Sequence, residues 1–182
     1  PRLECWIHRC FTPGASLLHA GCGSGEVDAK LGSAYRITAL DISPEALARY
    51  RHSNPLATAV LHADLLHTPL PEATFDGAYN LGVLEHFHPP EITCLLQRLH
   101  AVVRPGGTLL LFWPLAKAPS VRFLGWCHRL LKRSGNTPVE LHPPEHTLLR
   151  SEAHARTLLA GSGWSLSQFN ISPADLFIQA VL

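Results

Sequence analysis

Apolar residues along this chain fall into two rhythms that alternate from one end to the other. Leu3, Trp6, Ile7, Cys10 and Phe11 recur at the spacing of a helix face, and Thr12-Pro13-Gly14 stops that pattern. Ser16 to Ala20 is a short apolar strand, and a helix is expected after Gly25, running to about Leu31 ahead of Gly32-Ser33. Tyr35 to Leu40 reads as a second strand, after which Ser43 is placed as an N-cap with Pro44 at the first helical position. Ala57 to Ala63 and Phe75 to Asn80 are the third and fourth strands, and Pro69 and Pro71 hold the loop between them open. Pro89-Pro90-Glu91 begins a helix with Ile92, Leu95, Leu96, Leu99 and Val102 on one face. Pro105-Gly106-Gly107 ends it, and Thr108 to Trp113 is apolar throughout, as a strand covered on both faces is. Ser151 caps a further helix through Leu159, ended by Gly161-Ser162-Gly163. Trp164 to Asn170 and Leu176 to Leu182 are two last strands, and the link between them is too short for a helical crossover, so they should be antiparallel. Strands alternating with helices in this way mean an α/β fold with a mainly parallel sheet.

Composition narrows the class. A length of 182 residues suits a single domain, and 46% apolar with 16% charged residues is globular. A formal charge of +1 and the lack of a basic stripe speak against nucleic acid as partner. Five cysteines without CxxC spacing read as reduced thiols, so no disulfide framework or zinc site is expected. No apolar run reaches membrane-spanning length and no signal-peptide core is seen, so the expected location is cytoplasmic.

The chemistry begins at Leu17-Leu18-His19-Ala20-Gly21-Cys22-Gly23-Ser24-Gly25. A strand running into alternating glycines lets a ligand lie against bare backbone. Asp41, about twenty positions on, suits the two hydroxyls of a ribose. Gly25 is followed by Glu26-Val27 rather than Lys-Ser/Thr, which excludes a nucleotide P-loop. For a dinucleotide the third glycine falls one position early, and Glu26 would repel a pyrophosphate. The pattern suits a ribose-bearing ligand without phosphate, preferably with a cationic part.

Gly21-Cys22-Gly23-Ser24-Gly25, Asp41-Ile42-Ser43, Ala63-Asp64-Leu65, Phe75-Asp76 to His86 and Arg104-Pro105-Gly106-Gly107 occur in the order seen in a known family. The chain resembles the class I S-adenosylmethionine-dependent methyltransferases, and among them the small-molecule "type 11" group that includes ubiquinone-biosynthesis methyltransferases. The resemblance implies a Rossmann-like seven-stranded sheet of order 3-2-1-4-5-7-6, strand 7 antiparallel, with helices on both faces. Residues 1–182 would be one domain, with 114–149 a lid or substrate-side insertion. Ala20, Gly21, Cys22, Gly23 and Gly25 would pass under the methionine and ribose of S-adenosylmethionine. Asp41 would hold the ribose, Ile42 pack on adenine, Asp64 accept from the adenine amine, and Leu65 offer a backbone N–H. Asn80 and Leu81 would meet the methionine ammonium. One departure stands out: His19 occupies a position where the family usually carries an acid that anchors this cationic end.

The acceptor is less constrained. Asn80-Leu81-Gly82-Val83 replaces the Asn/Asp-Pro-Pro-Tyr of nucleobase and glutamine-amide methyltransferases, and no Pro-Cys nucleophile is present. Where related enzymes carry an additional Glu three residues before Glu85, this chain has Gly82, and Glu85-His86 alone is a thin ligand set, so no metal is expected. His86 is the candidate general base, needed only if the acceptor is a hydroxyl or an acidic carbon. Trp113, His142 and His146 are the substrate-side candidates. The basic, apolar stretch 119–133 could form a lid, touch a membrane surface peripherally or pack on the core. The expected activity is methyl transfer to oxygen or carbon of a small acceptor, lipophilic or not, yielding S-adenosylhomocysteine. The alternatives are a fold-degenerate binding module without turnover and, behind it, a nicotinamide-dependent oxidoreductase. Oligomeric state is open.

Overall fold

The computed structural model describes residues 2–116, 144–171 and 177–181. Helix α1 (Arg2–Cys10) leads into β1 (Ser16–Ala20), and β2 (Arg36–Asp41) is followed by α2 (Pro44–Ser53). The Ser43 hydroxyl caps α2 by accepting from the Ala46 N–H at 3.1 Å. Strands β3 (Ala59–His62) and β4 (Phe75–Leu81) precede α3 (Pro89–Val102), whose His88 N–H donates to the Glu91 carboxylate at 2.8 Å. Then come β5 (Val103–Pro114), α4 (Glu152–Leu159), β6 (Gln168–Ile171) and β7 (Phe177–Val181).

The seven strands form one sheet in the order β3-β2-β1-β4-β5-β7-β6. The first five are parallel, and β7 runs antiparallel to both β5 and β6. This is the expected order and direction. Alternation along the strands divides the core. Leu17, Tyr79, Leu110 and Phe112 pack with Leu3, Ile7 and Phe11 of the α1 region. Leu18, Ala78, Leu109, Leu111 and Trp113 pack with α3 and α4 residues such as Leu95, Leu99 and Leu158.

Two expectations are corrected. The segment after Gly25 forms no α-helix; it passes through two short 3-10 stretches, Asp28–Lys30 and Gly32–Ala34. Asp28 is pulled beneath the glycine loop, where it is 3% exposed, and the short run before Gly32 cannot pay for helix nucleation. Second, Pro105-Gly106-Gly107 lies inside β5 rather than closing the helix before it. The β4–β5 register slips between Phe75 and Gly77, which accommodates a proline that has no N–H for the ladder. Among the described residues, no helix is long and apolar enough to cross a membrane.

Candidate functional site

A cleft of about 690 Å³ opens at the carboxyl ends of β1 to β4. Parallel strands end there in loops whose backbone groups are released from the ladder, which is where ligands of open α/β sheets sit. Gly21, Cys22, Gly23 and Gly25 line it from the β1 loop, Asp41 and Ile42 from β2, Asp64 and Leu65 from β3, and Leu81 and His86 from β4 onward. The structure therefore brings together most residues singled out in the sequence. Ala20 and Asn80 lie just behind the wall, 0% and 1% exposed. The Asn80 amide N–H donates to the Ala20 carbonyl at 2.7 Å, tying β4 to β1, while its Oδ1 is buried without a partner.

The loop owes its shape to local chemistry. Gly21 has φ +76°, and a Cβ there would overlap Val83 from the turn after β4. Gly23 has φ +53° and open space where its Cβ would be, so its bare backbone faces the cleft. The Gly23 N–H donates to Asp41 Oδ2 at 2.8 Å, and the Ser43 N–H donates to Oδ1 at 2.9 Å. Asp41 thus holds the loop in place and keeps further lone pairs for a ligand.

Asp64 organises its own turn as well. Its carboxylate accepts from the Leu66 N–H at 2.8 Å and from His67 Nδ1 at 2.7 Å. The bond from His67, with the Leu66 N–H, holds this carboxyl below its usual range despite partial burial. Ile42 is 64% exposed beside it, an apolar surface of the kind a purine ring covers. Burial pushes the Cys22 thiol up to about 12, with the charges of Asp41 and Asp28 adding to it, so Cys22 is a neutral wall residue and no nucleophile.

His86 sits at the other end. Its Nδ1 lies 3.1 Å from the Pro144 carbonyl. A carbonyl only accepts, so Nδ1 carries the proton in this contact. Glu85 Oε1 lies 4.0 Å from the His86 Nε2, beyond hydrogen-bond reach. Burial raises the Glu85 carboxyl to about 7, partly offset by a backbone hydrogen bond and reinforced by the charge of Glu145.

The substrate-side candidates separate. Trp113 does not reach the cleft: it is 3% exposed and its indole N–H donates to the Thr147 carbonyl at 2.8 Å. Strand alternation turns it toward the α3 and α4 face of the sheet. His146 is exposed, with its ring 4.2 Å from that of His88, and its backbone N–H donates to the Glu85 carbonyl at 2.6 Å. His142 and the stretch 119–133 lie outside the described residues.

The sequence allowed His19 to be read as a buried, hydrogen-bonded strand residue, and the structure bears that out, but its partners behind the loop were missed. His19 Nδ1 lies 2.7 Å from Asp28 Oδ2, and the same carboxylate accepts from the Tyr50 hydroxyl at 2.6 Å and the Tyr79 hydroxyl at 2.7 Å. Burial opposes the charge of Asp28, but His19 and the three hydrogen bonds outweigh it, and its carboxyl sits below the usual range. The available signal was His19 itself, since a polar side chain in an apolar strand must find a buried partner.

Residues 18–111 match the family model of a methyltransferase domain. The chain is 32% identical over 161 residues to an uncharacterized methyltransferase of Mycobacterium tuberculosis, covering 80% of this chain and 78% of that one. A SAM-dependent methyltransferase from Methanosarcina mazei superposes with a TM-score of 0.71 at 19% identity, over 97% of this chain and 94% of the other. A Burkholderia thailandensis 1,6-didemethyltoxoflavin-N1-methyltransferase, solved with S-adenosylhomocysteine, superposes with a TM-score of 0.71 at 21% identity, over 98% and 74%.

Proposed function

Because the chain belongs to this methyltransferase family and draws its methyl group from S-adenosylmethionine, we propose that its acceptor is a small molecule methylated at oxygen or carbon. The observation that carries this reading is His86: it lines the cleft, and the 3.1 Å contact of its Nδ1 with the Pro144 carbonyl holds the imidazole where it would take the proton of a hydroxyl or an acidic carbon.

The residues present fit the cofactor. Gly23 leaves bare backbone, Asp41 has lone pairs for a diol, and Ile42 is an uncovered apolar face. Glu26, Asp41 and Asp64 line the cleft, and none of its described lining residues is a Lys or Arg, which suits a cationic ligand. Gly21, Cys22, Gly23 and Gly25, with Ala20 behind them, would hold its central part, and Asp64 and Leu65 its adenine. Asn80 and Leu81 would flank the amino-acid end. Bound S-adenosylmethionine supplies a methyl group activated by its sulfonium charge.

The chain's own work is positioning and proton transfer. Pro144 to Leu149 is clasped to the turn at Leu84–His86: Glu85 accepts from the His146 and Thr147 N–H groups, and the Thr147 hydroxyl donates to the Phe87 carbonyl at 2.8 Å. This ties His146 to the turn that carries His86, and it supports reading 114–149, of which 114–116 and 144–149 are described, as the acceptor side of a single domain.

Incubation with S-adenosylmethionine and a panel of phenols, enols and amines, read by mass spectrometry of the products, tests the reading. Methylation at oxygen or carbon is expected. His86→Gln should lower kcat by about 10²–10⁴-fold while calorimetric binding of S-adenosylhomocysteine is kept. Transfer only to nitrogen, or full activity of the variant, would sink the proposal.

A further inference from the structure

The loop after β3 carries Asp64 and Leu65 into the cleft, yet the sheet does little to hold it. β3 is four residues long and lies at the sheet edge, paired to β2 alone. Between this loop and α3 lies a cavity of about 200 Å³, lined among others by Leu65, Leu70, Leu95 and Leu99. Apolar packing therefore leaves the loop room to shift. Arg98 of α3 lines the same cavity and bridges it. Its Nε–H donates to the Leu65 carbonyl at 2.8 Å, and its Nη2–H donates to the Thr68 carbonyl. A planar guanidinium holds two such acceptors in a fixed relation, which an ammonium does not.

Both bonds land on the parts of the turn that shape Asp64. The Leu65–Leu66 peptide presents its carbonyl to Arg98 and its N–H to Asp64 Oδ1 at 2.8 Å. One rigid plane thus joins the guanidinium to the carboxylate. At the far end, the Thr68 N–H donates to the Asp64 carbonyl at 2.8 Å, and the Asp64 N–H donates to the Thr68 hydroxyl at 3.0 Å. Arg98 grips a turn that is closed on Asp64 from both sides. Its charge is the last of the causes that hold the Asp64 carboxyl low, behind the bonds from His67 and the Leu66 N–H. Geometry, not charge, is what it supplies.

We propose that Arg98, acting through the Leu65–Leu66 peptide, sets the Asp64 carboxylate where it selects purines that carry a 6-amino group. Arg98 does not line the cleft, so it is a positioning residue. A buried-side acceptor built for an N–H rejects a ligand that lacks one, because the acceptor is then left unpaired. A hydrogen bond weakens steeply off its line, so the selection lasts only while the turn is held. This rests on Asp64 facing the adenine, as proposed above, and adds the strap from α3 that makes the contact selective.

Calorimetry with S-adenosylhomocysteine and its 6-deamino analogue, which has hydrogen in place of the amine, reads this directly. The native protein should prefer the amine by about tenfold to a hundredfold, the range of one hydrogen bond to a charged group. Arg98→Met keeps an apolar stem and removes both donors. It should weaken S-adenosylhomocysteine by about tenfold and the analogue by no more than about twofold. Arg98→Lys keeps a long stem and the charge without the fork, and its preference should fall as well.

Equal losses for both ligands in Arg98→Met, or no loss for either, would overturn the proposal, since Arg98 would then be structural only. A full native preference in Arg98→Lys would overturn it too, because a charge alone would suffice. The native ratio needs no variant to fold, and a native protein that binds both ligands equally leaves Arg98 no selection to support. Failure of the native protein to bind S-adenosylhomocysteine at all would instead remove the cleft assignment itself.

Discussion

Gly21, Gly23 and Gly25 all have positive φ, but they meet different surroundings. A Cβ on Gly23 would enter open space in the cleft, whereas one on Gly25 would overlap the Tyr50 ring and the Asn54 amide of the α2 region. Gly23→Ala should therefore cost about 1–2 kcal/mol of stability from its left-handed backbone alone, with a clear loss of S-adenosylhomocysteine affinity. Gly25→Ala adds overpacking to that strain and should cost about 3 kcal/mol or more. Urea denaturation and calorimetry on the two variants check this, and equal behaviour of both would contradict it. The glycine motif was legible as a ligand loop, but its division between ligand and packing was not. The packing partner of Gly25 comes from a helix whose approach no local pattern encodes.

Among the elements, those with strong end signals formed where the sequence placed them. Ser43 and Pro44 open α2 as expected, and Ser43→Ala should cost about 1 kcal/mol by leaving an N–H of the first turn without its side-chain acceptor. Thermal denaturation reads that loss, and no change in midpoint would mean water replaces the hydroxyl fully. The stretch after Gly25 had no such cap, and tertiary demand on Asp28 decided its form. The Phe75-Asp76 and Arg104 motifs illustrate a different limit. Asp76 accepts from the Ser16 N–H at 2.8 Å and from Arg104 at 2.6 Å, at the amino ends of β1, β4 and β5. These two motifs join strands at the edge opposite the cleft, a role their sequence order alone does not reveal.

At the scale of the whole molecule, two buried carboxyls couple folding to pH in opposite directions. Asp28 is held below its ordinary 3.8, so its contribution is present above that value and lost as pH falls through the lower folded one. Glu85 is raised from 4.5 to about 7 by burial, so the native state holds its proton more tightly. Its contribution is complete below 4.5 and lost as pH rises through about 7, a change on the order of 3 kcal/mol. Glu85→Gln should match the native protein near pH 4 and exceed its stability at pH 8, as chemical denaturation across that range would show. Equal stabilities at pH 8 would mean that Glu85 ionises without penalty. The sequence by itself determined the α/β class, the strand order through the family resemblance, and the cleft between the glycine loop, Asp41 and Asp64. The class rests on periodicity, turn residues and caps, which act over a few neighbouring positions, whereas the strand order and the place of Asp64 rest on the order of the family's motifs. Only the tertiary structure turned Trp113 into the core and brought His19, Tyr50 and Tyr79 onto Asp28 across 9, 22 and 51 positions. Such pairings depend on how whole elements pack, and a buried charge takes whichever donors that packing delivers.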